Sequence, residues 1–283
     1  RMYKYSFEDQ VLIHAQRPDA VACAEYDTWG REDITNRYVK RGSKGIALLK
    51  EENGRIKLRY VFDFKDTAAK DARSKEPFFW KITDRNENAV IKALSPDDSY
   101  LDTAVRNKVA ELVSTQSENY LPAIRSEMDN TFLADLDDLN VRIRFENLLR
   151  ASVSYMVLTR CGYDAEAMVD LEDFRGIYEF NSITAMTVLG DAVSTLSEQI
   201  LRSIELTLKI ERSKENEQNI TENNNRERNS VQTGRENRDL SSGMGNEGTE
   251  VSTMLPLDDF ASHEEVSEGT MWTCRYRALH LGG

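Results

Sequence analysis

Histidine and cysteine are scarce in this chain, three of each among 283 residues. His14, His263 and His280 sit in unrelated contexts, and Cys23, Cys161 and Cys274 lie far apart. No CxxC pair and no cysteine–histidine spacing suited to a metal occurs, which excludes a zinc-finger framework. Widely spaced cysteines also argue against a disulfide scaffold and suit a reducing compartment, so a cytoplasmic location is expected. His263-Glu264 opens like the HExxH of a zinc protease, but position 267 is serine and the second ligand is missing. "GSKG", Gly42 to Gly45, lacks the GxxxxGK[ST] spacing of a phosphate-binding loop. No nucleophile stands in a motif with a base. The chain is therefore expected to have no catalytic residues, no metal and no cofactor. Nor does any run approach the roughly 18 uninterrupted apolar residues of a membrane helix, and no secretory leader is visible, so no membrane partner is expected. The sequence opens at Arg1 and reads as a piece of a longer protein.

What the chain has is charge, unevenly placed. The net charge is −12, yet residues 1–85 carry 18 Lys and Arg against 14 Asp and Glu, a local excess of +4. The remainder carries 19 against 35, or −16. A basic module can hold a polyanion while an acidic remainder keeps the chain soluble and repels the same ligand elsewhere.

Periodicity divides the chain into an α+β module at 1–85, a helical region at 86–211, a polar linker at 212–250 and an unassigned tail at 251–283. "YSFEDQVLIHAQ" predicts a helix capped by Ser6, with Phe7, Val11, Leu12 and Ala15 on one apolar stripe and Arg17-Pro18 as its end. "AVACAEYDTWG" predicts a short strand and a one-turn helix closed by Gly30. "RYVKRGSKGIALLK" reads as strand, turn and strand, with Gly42 and Gly45 as permissive positions. "KLRYVFDF" alternates Leu58, Tyr60 and Phe62 as a third strand, and "EPFFWKI" offers a fourth. Beyond Asp84 the signal is helical. Phe145, Leu148, Leu149, Val153 and Met156 share a face before a capping Gly162, and the acidic run Ala134–Asn140 suits a helix entrance. Met186, Leu189, Val193, Leu196 and Ile200 mark a second long helix. After about Ile210 the chain is rich in Asn, Glu, Arg, Ser and Gly, and disorder is expected because too little apolar surface is present to offset the ordering entropy.

The stretch Asn36–Lys50 concentrates the positive charge. Arg37, Lys40, Arg41 and Lys44 fall within eight residues, Arg59 follows in the next strand, and Trp29, Tyr38 and Tyr60 interleave. Read plainly, this is a solvated hairpin with tyrosines in the core. Read functionally, cations for phosphates and rings for bases make a surface for single-stranded nucleic acid.

"YSFEDQVLIHAQRPDA", "YDTWGR", "RYVKRGSKGIALL" and "LRYVFDFKDT" together resemble the N-terminal ArdC-like domain of large proteins from conjugative and integrative mobile elements. "FENLLRASVSYMVLTRCGYD", "FRGIYEFNS" and "LGDAVSTLSEQIL" resemble the helical segment that follows this domain in the helicase and DNA-methylase proteins of such elements. The likeness covers residues 3–210. It implies binding of single-stranded DNA by the N-terminal module and a setting in antirestriction or helicase and methylase machinery. ArdC itself continues into a zinc-protease-like domain, which has no counterpart here. Enzymatic activity of a longer parent would lie outside this chain, whose helices would contact the parent's catalytic domains. The competing expectation is a protein-interaction scaffold, with the helices at 141–211 docking a partner.

Overall fold

A computed structural model describes residues 2–239, with side chains through Gln218 and at Thr221. The chain divides into a unit spanning 1–211 and a second beginning at Arg212. The first unit is α+β: short strands near the N-terminus precede a run of helices.

Helix α1 (Phe7–Gln16) begins where Ser6 accepts a hydrogen bond from the Asp9 N–H, 3.2 Å away, and ends at Arg17, which Pro18 holds in extended backbone. Its buried side chain is Ile13; Val11 and Ala15, placed on the apolar stripe by their spacing, face solvent. Strand β1 (Cys23–Glu25) leads into the one-turn helix α2 (Tyr26–Gly30).

The Asn36–Lys50 stretch is not a hairpin. Its first strand, β2 (Arg37–Val39), pairs with β5 (Thr67–Ala69), and its second, β3 (Ile46–Glu52), pairs with β4 (Arg55–Asp63). The hairpin turn is Asn53-Gly54. Both residues have positive φ, 55° and 70°, as the primed two-residue turn between antiparallel strands requires. The strands lie in the order β1-β4-β3, all antiparallel, with Ile46 opposite Val61 and Glu52 opposite Arg55.

Alternation along β4 buries the other face from the one expected. Val61 and Asp63 are inside, while Leu58 and Tyr60 point to solvent. Asp63 is tolerated there because its carboxylate accepts the N–H groups of Val21 and Ala22, each at 2.9 Å. The buried face packs on α1, where Ile13, Ile46, Leu48 and Val61 form a small core. "EPFFWKI" is not a strand: residues 76–82 run as irregular chain, with Trp80 buried in the helical core.

That core is larger. Helices α3 (Glu87–Leu94), α4 (Leu101–Gln116), α5 (Leu121–Glu127), α6 (Asp138–Cys161), the short α7 (Ala165–Met168) and the start of α8 (Ile183–Asp239) enclose Phe145, Leu148, Leu149, Val157, Phe180 and Leu196. Asp137 caps α6 by accepting the Asn140 N–H, and Gly162 closes it at φ 96°, as the sequence predicts. The two cores meet at the N-terminus. Tyr3 belongs to the helical core, Phe7 lies against Gly190, and the Gln10 amide donates to Ser194 Oγ at 2.7 Å.

The backbone of α8 remains helical to Asp239, where composition predicts a disordered linker from 212. Glu, Lys, Arg and Gln, all strong helix formers, recur through residues 212–239. Residues 240–250 of the expected linker and the tail at 251–283 lie outside the described residues.

Candidate nucleic-acid interface

The basic loop at 40–45 links the two small sheets. Its backbone is pinned at one end, where the Lys40 N–H donates to Asp66 O at 2.8 Å and the Ser43 N–H to Lys40 O at 3.2 Å, with Gly42 turning at φ 89°. At the other end Gly45 lies against β4: a Cβ placed there would sit 3.1 Å from Tyr60 Cβ and 3.2 Å from ring atoms of Tyr60 and Phe62. Backbone ties at both ends fix where the loop presents its cations, while the exposed side chains themselves are ordered only on binding.

The residues singled out by sequence separate into three groups. Arg41 and Lys44 are exposed and make no ion pair with any described residue; Lys40 is exposed too, its ammonium 3.1 Å from Lys65 O. Tyr60 (51% exposed) stands on the outer face of β4 opposite Ala47, so the structure brings it together with this loop. Tyr38 (47% exposed) is free as well but belongs to the separate β2–β5 ribbon.

The remaining three are committed to the fold. Trp29, expected to stack on bases, is only 3% exposed; its indole N–H donates to Phe62 O at 3.0 Å and its ring packs near Phe64. It is a core residue because it fills the space between α2 and β4. Arg37 donates from Nε to Thr67 Oγ1 at 2.8 Å and lies 4.6 Å from the Phe64 ring centre, stapling β2 to β5. Arg59 is on the buried side of β4, paired with Asp9 and Glu25. Its positive charge is already matched.

Neighbouring acids are matched in the same way. Arg17 pairs with Asp66, and Lys65 sits 3.0 Å from Asp19. The Lys65 hydrogen bond holds the Asp19 carboxyl below the usual carboxylate range. Burial, reinforced by nearby Asp63, pushes the Cys23 thiol up to about 12, so it stays protonated and unreactive. Among the described residues no cluster of His, Cys, Asp and Glu is arranged to hold a metal.

Sequence reasoning passed over Tyr26, which is 59% exposed and meets Phe62 edge-on with ring centres 6.1 Å apart. It also passed over Leu49, Ile56 and Leu58, which share the outer face with Tyr60. The Asn53-Gly54 pair was the signal that finds them, since it fixes the β3–β4 register and so which face each residue takes. Comparison with protein-family models, curated proteins and solved structures finds no match. No helix among the described residues is long and apolar enough to cross a membrane.

Proposed function

We propose that the N-terminal module binds single-stranded DNA, with Arg41 and Lys44, and Lys40 beside them, contacting phosphates. The observation that carries this reading is the contrast within the basic set. Arg59, Arg17 and Lys65 are neutralised by carboxylates, whereas Arg41 and Lys44 project from a pinned loop with none. Unmatched cations on a loop whose backbone is tied at both ends suit a polyanion. The ArdC-like resemblance supports the same ligand, and with it a cytoplasmic role in a mobile-element protein that protects, unwinds or modifies a transferred strand. The helical region then serves to connect the module to further domains of a longer parent. A scaffold role for those helices is favoured by the exposed pair Leu139 and Ile143, one turn apart on α6.

Fluorescence anisotropy with a labelled single-stranded oligonucleotide at several salt concentrations tests the proposal. Three phosphate contacts give a slope of log K against log salt of about −2, at roughly −0.7 per contact. The triple variant Lys40→Ala, Arg41→Ala, Lys44→Ala should weaken binding across sequences and flatten the slope, because phosphate contacts position a strand without reading it. Unchanged affinity and slope would refute the assignment.

A further inference from the structure

The outer face of the three-stranded sheet has an uneven make-up that the loop cations alone do not explain. Directly opposed residues of antiparallel strands share a face. Phe62 opposes Ala24, and Tyr60 opposes Ala47. Gly45 precedes β3 and lies against both rings. Tyr26 abuts Phe62 from the other side. Exposed Tyr26 and Tyr60 therefore flank a partly buried Phe62 along a strip whose neighbouring positions, Ala24, Gly45 and Ala47, carry at most a methyl group. No large side chain from those positions covers the rings. Farther along the same face, Leu49, Leu58 and Ile56 lead to the hairpin tip.

We infer that the strip formed by Tyr26, Phe62 and Tyr60 is a stacking platform for unpaired bases, with Arg41 and Lys44 taking the adjoining phosphates. This rests on the single-strand reading above and adds where the bases lie. Two features select that occupant over an apolar peptide. Rings, not aliphatic side chains, lie beside the cation-bearing loop. Tyr26 and Tyr60 remain more than half exposed although each touches a neighbour it could be buried against. Spacing adds the preference for unpaired bases. Tyr60 and Phe62 are two residues apart on one strand, about 7 Å. Stacked nucleotides of one DNA strand rise only about 3.4 Å. Bases seated on successive rings must be spread apart, which a duplex resists and a single strand allows.

The test uses the full chain and three labelled probes of about 12 nucleotides, within the range of known single-strand sites: oligothymidylate, an abasic strand of equal length, and a duplex. Oligothymidylate should bind at least about tenfold more tightly than the abasic strand, and more tightly than the duplex. Tyr60→Ala and Tyr26→Ala should each weaken oligothymidylate about tenfold or more, by the measured range for one stacked base. They should leave the abasic strand nearly unchanged, and Tyr60→Phe should bind like the parent. Photocrosslinking with 5-iodouracil oligonucleotide needs no variant and should place adducts on Tyr60 or Tyr26. Equal binding of oligothymidylate and abasic strand, both lost in the Arg41→Ala, Lys44→Ala variant, would overturn the platform and spare the phosphate contacts. Adducts confined to other residues would also overturn it. So would concentration-dependent dimerisation abolished by Tyr60→Ala with oligothymidylate affinity intact, which would give the face to a second copy of the chain. Absence of binding to every probe at low salt would remove both readings together.

Discussion

In the helical part of the first unit, Phe145, Phe180, Leu148 and Leu149 are fully enclosed, and buried positions recur along α4, α6 and α8. In the sheet part the core is Ile13, Ile46, Leu48 and Val61, with the far side of the sheet left open. One set of apolar residues is used to hold a fold; the other includes side chains kept at the surface. A small sheet with one solvated face is an ordinary antiparallel arrangement, but the solvated face is then usually polar. Here it carries Tyr60, Leu58, Ile56 and Leu49, an apolar surface of the kind that marks interaction sites. Apolar side chains of the helical region mostly fill its core, whereas those on the outer face of the sheet are left to solvent.

Paired substitutions test that contrast most strongly. Phe145→Ala should cost about 3–5 kcal/mol, since it removes a ring enclosed between Tyr120 and Phe180 and leaves a cavity. Leu58→Ala, although also a large apolar deletion, should change stability by no more than about 0.5 kcal/mol. Urea denaturation followed by circular dichroism measures both. Equal losses would show that the outer face of the sheet is part of the core after all.

The joint between the two regions comes next in size. A Cβ on Gly190 would lie 2.4 Å from carbons of the Phe7 ring, so Gly190→Ala must push α1 away from α8 or displace the ring. Overpacking of this kind costs about 1–3 kcal/mol. Adding Phe7→Ala relieves the clash, so the double variant should be more stable than the sum of the single losses allows. Strict additivity would mean that the contact is not what joins them.

The helical region was legible because its signals are local. Asp137 and Gly162 cap α6 where sequence puts the caps, and Phe145, Leu148, Leu149 and Val153 are buried as their spacing requires. The sheet was less legible because strand pairing is not local. Arg37–Val39 finds its partner thirty residues later in Thr67–Ala69, a strand too short to announce itself. Leu58, Tyr60 and Phe62 do alternate along β4, but the face they share is the outer one, and Val61 and Asp63, unremarked in the sequence, lie inside. The candidate site suffered the same way. Arg41, Lys44 and Tyr60 are exposed, whereas Trp29 is buried and Arg37 and Arg59 are tied to neighbouring elements. The carboxylates that neutralise Arg59, Asp9 on α1 and Glu25 on β1, lie 50 and 34 residues away.

The smallest effect concerns a second tie between the N-terminus and the helices. Glu205, on α8, is almost wholly enclosed; the Tyr3 hydroxyl donates to it, and the ammonium groups of Lys4 and Lys209 lie 2.9 and 2.7 Å from its oxygens. Burial alone would raise its carboxyl, but hydrogen bonds from Lys209, Tyr3 and Lys4 outweigh that and bring it down to about 2. An unfolded glutamate titrates near 4.3. The folded value is the lower one, so the carboxylate stabilises the fold above the unfolded value, and that contribution disappears as pH falls from about 4.3 toward 2. Both lysines reach solvent, which screens the pairs and keeps the contribution to about 1 kcal/mol at pH 7. Thermal melts of the parent and Glu205→Gln should differ at pH 7, with the parent higher, and converge by about pH 2. With Tyr3→Phe in both backgrounds the gap at pH 7 should be smaller and the convergence complete at a higher pH, because one of the bonds holding the folded carboxyl down is gone. A gap between parent and Glu205→Gln that stays constant across the range would mean that the side chain contributes through shape and not through its charge, leaving Phe7 on Gly190 and the hydrogen bonds of Ser194 with Gln10 and Tyr5 among the ties between the two cores.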